Sequence, residues 1–67
     1  MKEVQPILDP NGVYSGKRTC AELGVSYKTL QKYRENGYIR QHNPENTTRP
    51  RYTGKSIMDC WKKVSAL

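Results

Sequence analysis

The sequence predicts a small, mainly α-helical domain with one short β-ribbon, and three observations lead to this fold class. Two stretches that can each form a capped helix are separated only by residues 24–26. Two short extended runs, 38–42 and 49–53, follow and are joined by a polar loop. Apolar residues then recur at helical spacing from Ile57 onward. A chain of 67 residues has room for one domain and buries only roughly 60% of its unfolded surface.

Residues 1–13 are predicted to form an N-terminal arm, and residues 14–67 to form the folded domain. The arm contains the run Asp-Pro-Asn-Gly at 9–12. This composition favours a tight turn, because proline presets φ and glycine tolerates positive φ. Within the arm, Ile7 and Leu8 are the side chains that can pack on the domain.

The first two helices are predicted from their start and stop signals. Ser15 can cap a first helix over about 16–23, and Gly24 suits the left-handed position that ends it. Ser26 can cap a second helix over about 27–36. At 100° per residue, Leu30 and its neighbours form the buried side of this second helix. The opposite side carries four polar residues: Lys28, Gln31, Lys32 and Glu35.

The two extended runs predict a ribbon with Ile39 and Tyr52 pointing inward. Since side chains alternate along a strand, Arg49 and Arg51 then share the outer face. Pro50 cannot donate to a sheet ladder and must lie on an edge. The connection is a polar loop that contains Asn43, Pro44, Asn46, Thr47 and Thr48.

A final helix is predicted from Thr53 or Ser56 to about residue 65. Its buried stripe is Ile57, Cys60, Trp61 and Val64, at spacings i, i+3, i+4 and i+7. Trp61 is expected to be the largest single component of the core.

The chain carries 12 basic and 6 acidic residues, a formal net charge of +6. The positive charge lies in two segments, 17–40 and 49–67, on either side of the polar loop. A small domain this basic is typical of proteins with an anionic partner, nucleic acid first among them.

Several function classes are disfavoured by composition. No run approaches the ~18 apolar residues of a membrane span, and the N-terminus lacks the apolar stretch of a secretory signal, so we expect a cytoplasmic, nucleoid-associated protein. Cys20 and Cys60 are expected to be two reduced thiols, with a single disulfide as the alternative. Together with His42 they are too few and too scattered for a zinc site. We expect no cofactor, no metal and no enzymatic activity.

Two helices joined by a tight glycine turn have the spacing of a helix-turn-helix unit. Such a unit presents its second helix to the DNA major groove, with the N-terminal residues nearest the base edges. Glutamine can pair with adenine, lysine can donate to guanine, and tyrosine can bond a phosphate or stack. The predicted DNA-binding residues are Tyr27, Lys28, Gln31 and Lys32 on this helix, Lys17 and Arg18 on the first helix, and Arg49 and Arg51 on the ribbon.

The stretch 24–39, Gly-Val-Ser-Tyr-Lys-Thr-Leu-Gln-Lys-Tyr-Arg-Glu-Asn-Gly-Tyr-Ile, resembles the MerR-like winged helix-turn-helix pattern. The similarity continues through Arg51-Tyr52 and the helix with Ile57 and Trp61, and covers about residues 14–62. Within that group the chain most resembles the small excisionases of phages and conjugative transposons. It departs from MerR-type regulators at Gln31 and Lys32, where those carry Arg and Tyr, and we expect neither their long dimerisation helix nor their effector domain.

The resemblance implies a sequence-specific DNA-binding excisionase, also called a recombination directionality factor. Such proteins bind and bend DNA near the ends of a mobile element, often side by side, and direct a tyrosine recombinase toward excision. The same residues could serve a transcriptional regulator of a mobile element, which is the first alternative. The second alternative is an adaptor whose basic face docks an acidic protein, such as a recombinase or terminase subunit.

Overall fold

The computed structural model describes residues 3–45 and 48–66, and within them it contains three α-helices and one two-stranded antiparallel sheet. The elements, in chain order, are β1 (Val13–Ser15), α1 (Gly16–Leu23), α2 (Tyr27–Glu35), β2 (Arg51–Thr53) and α3 (Gly54–Ser65). The predicted class, mainly helical with one small sheet, is therefore confirmed. Each strand runs directly into a helix, so the sheet fixes where α1 and α3 begin.

The starts of all three helices are fixed by side-chain caps. The hydroxyls of Ser15, Ser26 and Thr53 each accept a hydrogen bond from the backbone N–H three residues later, at 3.2, 3.2 and 3.1 Å. Gly24 closes α1 in the left-handed region, with φ of 70°, and its N–H donates to the Cys20 carbonyl. These predicted ends are confirmed, and α2 stops at Glu35, one residue earlier than predicted.

The predicted ribbon is wrong in one of its two strands. Residues 38–42, all of them described by the structure, form no strand, and the partner of β2 is β1, which places Tyr14 opposite Tyr52. The chain leaves α2 through a turn in which the Tyr38 N–H donates to the Tyr33 carbonyl, and this turn directs Ile39 into the core. Asn46 and Thr47 of the predicted loop lie outside the described residues.

Among the residues that the structure describes, seven side chains form the core, between the sheet and the three helices. They are Leu8, Leu23, Leu30, Ile39, Tyr52, Ile57 and Cys60. Ile39 and Tyr52 point inward as predicted, with 4% and 1% of their surface exposed. The expectation that Trp61 is the largest core component is wrong. Tyr52 is the largest fully buried side chain, whereas Trp61 is only partly buried and packs against the core.

The predicted arm packs on the domain through one residue of the pair that sequence singled out. Leu8 is buried, whereas Ile7 is 95% exposed. The predicted turn is present: the Asp9 carbonyl accepts from the Gly12 N–H at 2.9 Å. The Gly12 carbonyl in turn accepts from the Gly54 N–H at 3.0 Å, so the turn is bonded to the start of α3. The first two residues of the arm lie outside the described part of the chain.

Candidate nucleic-acid interface

Four of the eight predicted DNA-binding residues line one groove. It lies between the first turns of α1 and α2 and the segment that enters β2, and its volume is about 330 Å³. The predicted residues among its lining are Lys17, Tyr27, Arg49 and Arg51. They come from three separated parts of the sequence, so the fold itself assembles this concentration of positive charge.

Three further predicted residues lie on the solvent face of α2. Lys28, Gln31 and Lys32 are exposed, while Leu30 on the opposite side is 1% exposed and anchors the helix in the core. Gln31 lies one helical turn after Tyr27, as Lys32 does after Lys28. Tyr27, 54% exposed, therefore joins the groove to this polar face and makes them one continuous surface.

Arg18, the eighth predicted residue, lies outside the groove. Its Nε donates to Glu22 Oε1 at 2.8 Å, one turn along α1, and its guanidinium lies 5.7 Å from the centre of the Tyr14 ring. A cation held by a carboxylate and an aromatic face has less to gain from a phosphate than an unpaired one. The structure therefore directs Arg18 toward its own helix and sheet.

A side chain that sequence reasoning placed in a polar loop organises the two arginines. Asn43 Nδ2 donates to the Arg49 carbonyl at 3.1 Å, and its Oδ1 accepts from the Arg51 N–H at 2.8 Å. The Arg51 carbonyl accepts from the His42 N–H. Asn43 thus takes the place of a neighbouring strand along this stretch of backbone. A single asparagine in a loop carries no sequence signal for this role.

The same segment is tied to α2 through Arg34. Its Nη1 donates to Gln41 Oε1 at 3.5 Å, and Gln41 Nε2 donates to the Asn43 carbonyl at 2.6 Å. Arg34 also lies near Tyr52, and burial raises the pKa of Tyr52 in spite of this nearby positive charge. Arg34 therefore connects α2, the segment with Asn43 and the core.

Gly16 and Pro50 form part of the groove wall and are not among the binding residues predicted from the sequence. A Cβ at Gly16 would lie 3.4 Å from the Tyr27 ring and 3.8 Å from Pro50. The absence of a side chain there keeps the groove open between the tyrosine and proline rings. Neither residue has a charged or reactive side chain, so the sequence gives no signal for this role.

The described residues contain no cluster of His, Cys, Asp and Glu side chains suited to hold a metal ion. Both cysteines are free, as predicted. Burial raises the pKa of the Cys60 thiol to about 11 and that of the Cys20 thiol in the same direction, which makes both poor nucleophiles at neutral pH. Among the helices described, none has the length and apolar character to cross a membrane.

Comparison of the chain with protein-family models, with curated proteins and with solved structures finds no match.

Proposed function

We propose that the chain is a MerR-like winged helix-turn-helix protein that binds duplex DNA, with α2 as the recognition helix. The observation that carries this proposal is the placement of α2. Leu30 fixes one side of the helix in the core, while Lys28, Gln31 and Lys32 all face solvent. A helix that presents this set of donors fits the major groove.

The roles of these side chains differ by chemistry. Lys28 and Lys32 are long, mobile point charges suited to phosphates or to guanine edges. Gln31 is the base-reading residue, because its amide can donate to and accept from the edge of adenine. The segment that ends in β2 acts as the wing and brings Arg49 and Arg51 to the DNA backbone beside α2.

Within DNA binding, we propose an excisionase role over transcriptional regulation. The chain would bind near the ends of a mobile element, side by side with further copies, and bend the DNA for a tyrosine recombinase. Smooth bending of a site costs of order 1–6 kcal/mol, which phosphate contacts from a small basic module can offset. An excision assay with the cognate integrase separates the two roles. If removal of this chain abolishes excision without altering transcription, the excisionase role is supported.

The salt dependence of duplex binding tests the alternative that the chain is an adaptor for an acidic protein. If DNA binding neutralises about five phosphates, the logarithm of the affinity falls with the logarithm of salt concentration at a slope of roughly −4 to −5. Fluorescence anisotropy with labelled duplexes measures this slope. A flat dependence, or no duplex binding at low salt, contradicts DNA binding and favours a protein partner.

The division of labour on α2 is tested with two substitutions. Lys28→Ala should weaken binding to every duplex, because a charge is lost. Gln31→Ala should cost ~1–3 kcal/mol on the preferred site and leave random duplexes unaffected. Equal losses on both classes of DNA for both variants would refute the assignment of Gln31 as a base reader.

A further inference from the structure

We propose that the groove between the first turns of α1 and α2 is a seat for one backbone phosphate of duplex DNA, with the attached sugar against Tyr27 and Pro50. This inference rests on the proposed function and deepens it. It names the part of the duplex that the groove takes and distinguishes the groove from the base-reading face of α2.

The charge of the groove selects an anion. Lys17 on α1 and Arg49 and Arg51 in the segment that enters β2 converge on it, and the described residues that line it include no carboxylate. Positive side chains gathered in a concave space reinforce one another's field. A guanidinium also matches two oxygens of a phosphate at once, so the groove is suited to hold a phosphate in a defined orientation.

The shape of the groove suits a phosphate with its sugar. The Tyr27 ring and the Pro50 ring both line it, and each comes within reach of a Cβ placed on Gly16, at 3.4 and 3.8 Å. Two apolar rings beside the cationic side chains offer a contact surface for deoxyribose. The bare backbone at Gly16 leaves the space between them open.

The seat is held in place before DNA arrives. Asn43 fixes the backbone at both Arg49 and Arg51, so little backbone freedom remains to be lost on binding. Tyr27 belongs to the groove and is also the first residue of α2. A phosphate seated beside it sets the position of α2 along the duplex, which is the role that backbone contacts play in DNA recognition.

The first test compares groove variants with a charge-matched control. A duplex selected from a random-sequence pool serves as the probe, and binding is measured by anisotropy across a salt series. Lys17→Gln and Arg51→Gln should each weaken binding roughly fivefold to tenfold and reduce the steepness of the salt dependence by about 0.9. Lys63→Gln removes the same charge from the exposed last turn of α3 and should change neither.

Gly16→Ala tests the shape of the seat without changing its charge. The new methyl meets only ordinary contacts, so the variant should fold, but it occupies the space between the two rings. We expect weaker duplex binding with a urea unfolding midpoint equal to or above that of the wild-type protein. Wild-type affinity in a folded Gly16→Ala protein would overturn the proposal.

The second test locates the phosphate. Single phosphates of the selected duplex are replaced, one at a time, by uncharged methylphosphonates. Among the positions that weaken binding of the wild-type protein, one should have no further effect on Arg51→Gln. Additive losses at every position, or groove variants that behave like Lys63→Gln, would overturn the seat and leave DNA binding intact. Failure of the wild-type chain to bind any duplex would overturn both.

Discussion

Gly16 and Gly54 occupy the same position in two helices and differ in what surrounds them. Each is the first residue of its helix and each is buried. A Cβ on Gly54 would overlap the Asp9 carbonyl, whereas a Cβ on Gly16 meets its nearest neighbour at 3.4 Å. Gly54 is therefore required for the close approach of the 9–12 turn to α3, and Gly16 is not required for folding.

Gly54→Ala is expected to destabilise the protein by about 1–3 kcal/mol, because the turn must move away from α3. Gly16→Ala is the matched control and should leave stability unchanged or raise it by up to about 1 kcal/mol, since it restricts the unfolded chain. Urea unfolding followed by circular dichroism measures both. Equal midpoints for the two variants would contradict the proposed crowding at Gly54.

The raised pKa of the Cys60 thiol predicts how the free energy of unfolding changes with pH in the alkaline range. Burial raises its pKa from 9.0 to about 11 in the folded protein, so the unfolded chain loses this proton first. The contribution to stability is complete below pH 9 and is lost as pH rises toward 11. Burial raises the pKa of Tyr52 as well, which adds to the loss at higher pH.

The free energy of unfolding should therefore fall between pH 9 and 11, measured by urea titration in the presence of a reducing agent. Cys60→Ala removes the contribution of the thiol and should show a shallower fall over the same interval. It starts from a lower stability, because a buried side chain is truncated. Parallel curves for wild type and Cys60→Ala would show that the thiol does not carry the effect.

At the scale of elements, the helices were predictable and the strand pairing was not. The starts of α1 and α2 depend on Ser15 and Ser26, whose hydroxyls bond within three residues, so their signal is contained in a short window. The pairing of Tyr14 with Tyr52 joins distant parts of the chain. A strand of three residues has too little alternation to reveal its partner.

The candidate site likewise has one part that could be predicted from the sequence and one part that could not. Helical periodicity was sufficient to predict the exposure of Lys28, Gln31 and Lys32, because it depends on one element. The groove could not be predicted, since it requires the mutual placement of α1, α2 and the segment before β2. The placement of Arg18 was detectable, because a carboxylate one helical turn later, at Glu22, is a standard pairing partner.

The segment beside β2 depends on a side chain in place of a strand, and this gives a prediction for Asn43. Asn43→Ala removes two hydrogen bonds to the backbone of Arg49 and Arg51 and should cost about 1–2 kcal/mol of stability. Duplex binding should weaken as well, because the two arginines lose their fixed positions. His42→Ala is the control, since the hydrogen bond of His42 to Arg51 uses its backbone. Similar behaviour of the two variants would contradict the role of Asn43.

At the scale of the whole molecule, the N-terminal arm belongs to the hydrophobic core. Leu8 is 9% exposed and packs with the other core residues, while the adjacent Ile7 is 95% exposed. In a chain this short each buried side chain supplies a large share of the net stability. The arm therefore contributes to folding independently of any contact with DNA.

Two neighbouring substitutions measure this contribution. Leu8→Ala should destabilise the protein by about 2–3 kcal/mol, because it opens a cavity under the arm. Ile7→Ala should change stability by less than about 0.5 kcal/mol, because its side chain is in solvent. Urea unfolding of both variants provides the comparison. A small effect of Leu8→Ala would mean that the arm is not part of the cooperative unit.

The pairing of β1 with β2 has a consequence for the order of folding. The helices α1 and α2 are neighbours in sequence and can meet early, whereas β1 obtains its partner only after a long stretch of chain has looped back. We expect closure of that loop to limit the folding rate. Substitutions at Tyr14 or Tyr52 should slow refolding most, as measured by stopped-flow. A chain truncated before Arg51 has no β2, and proteases should cleave its α1 readily.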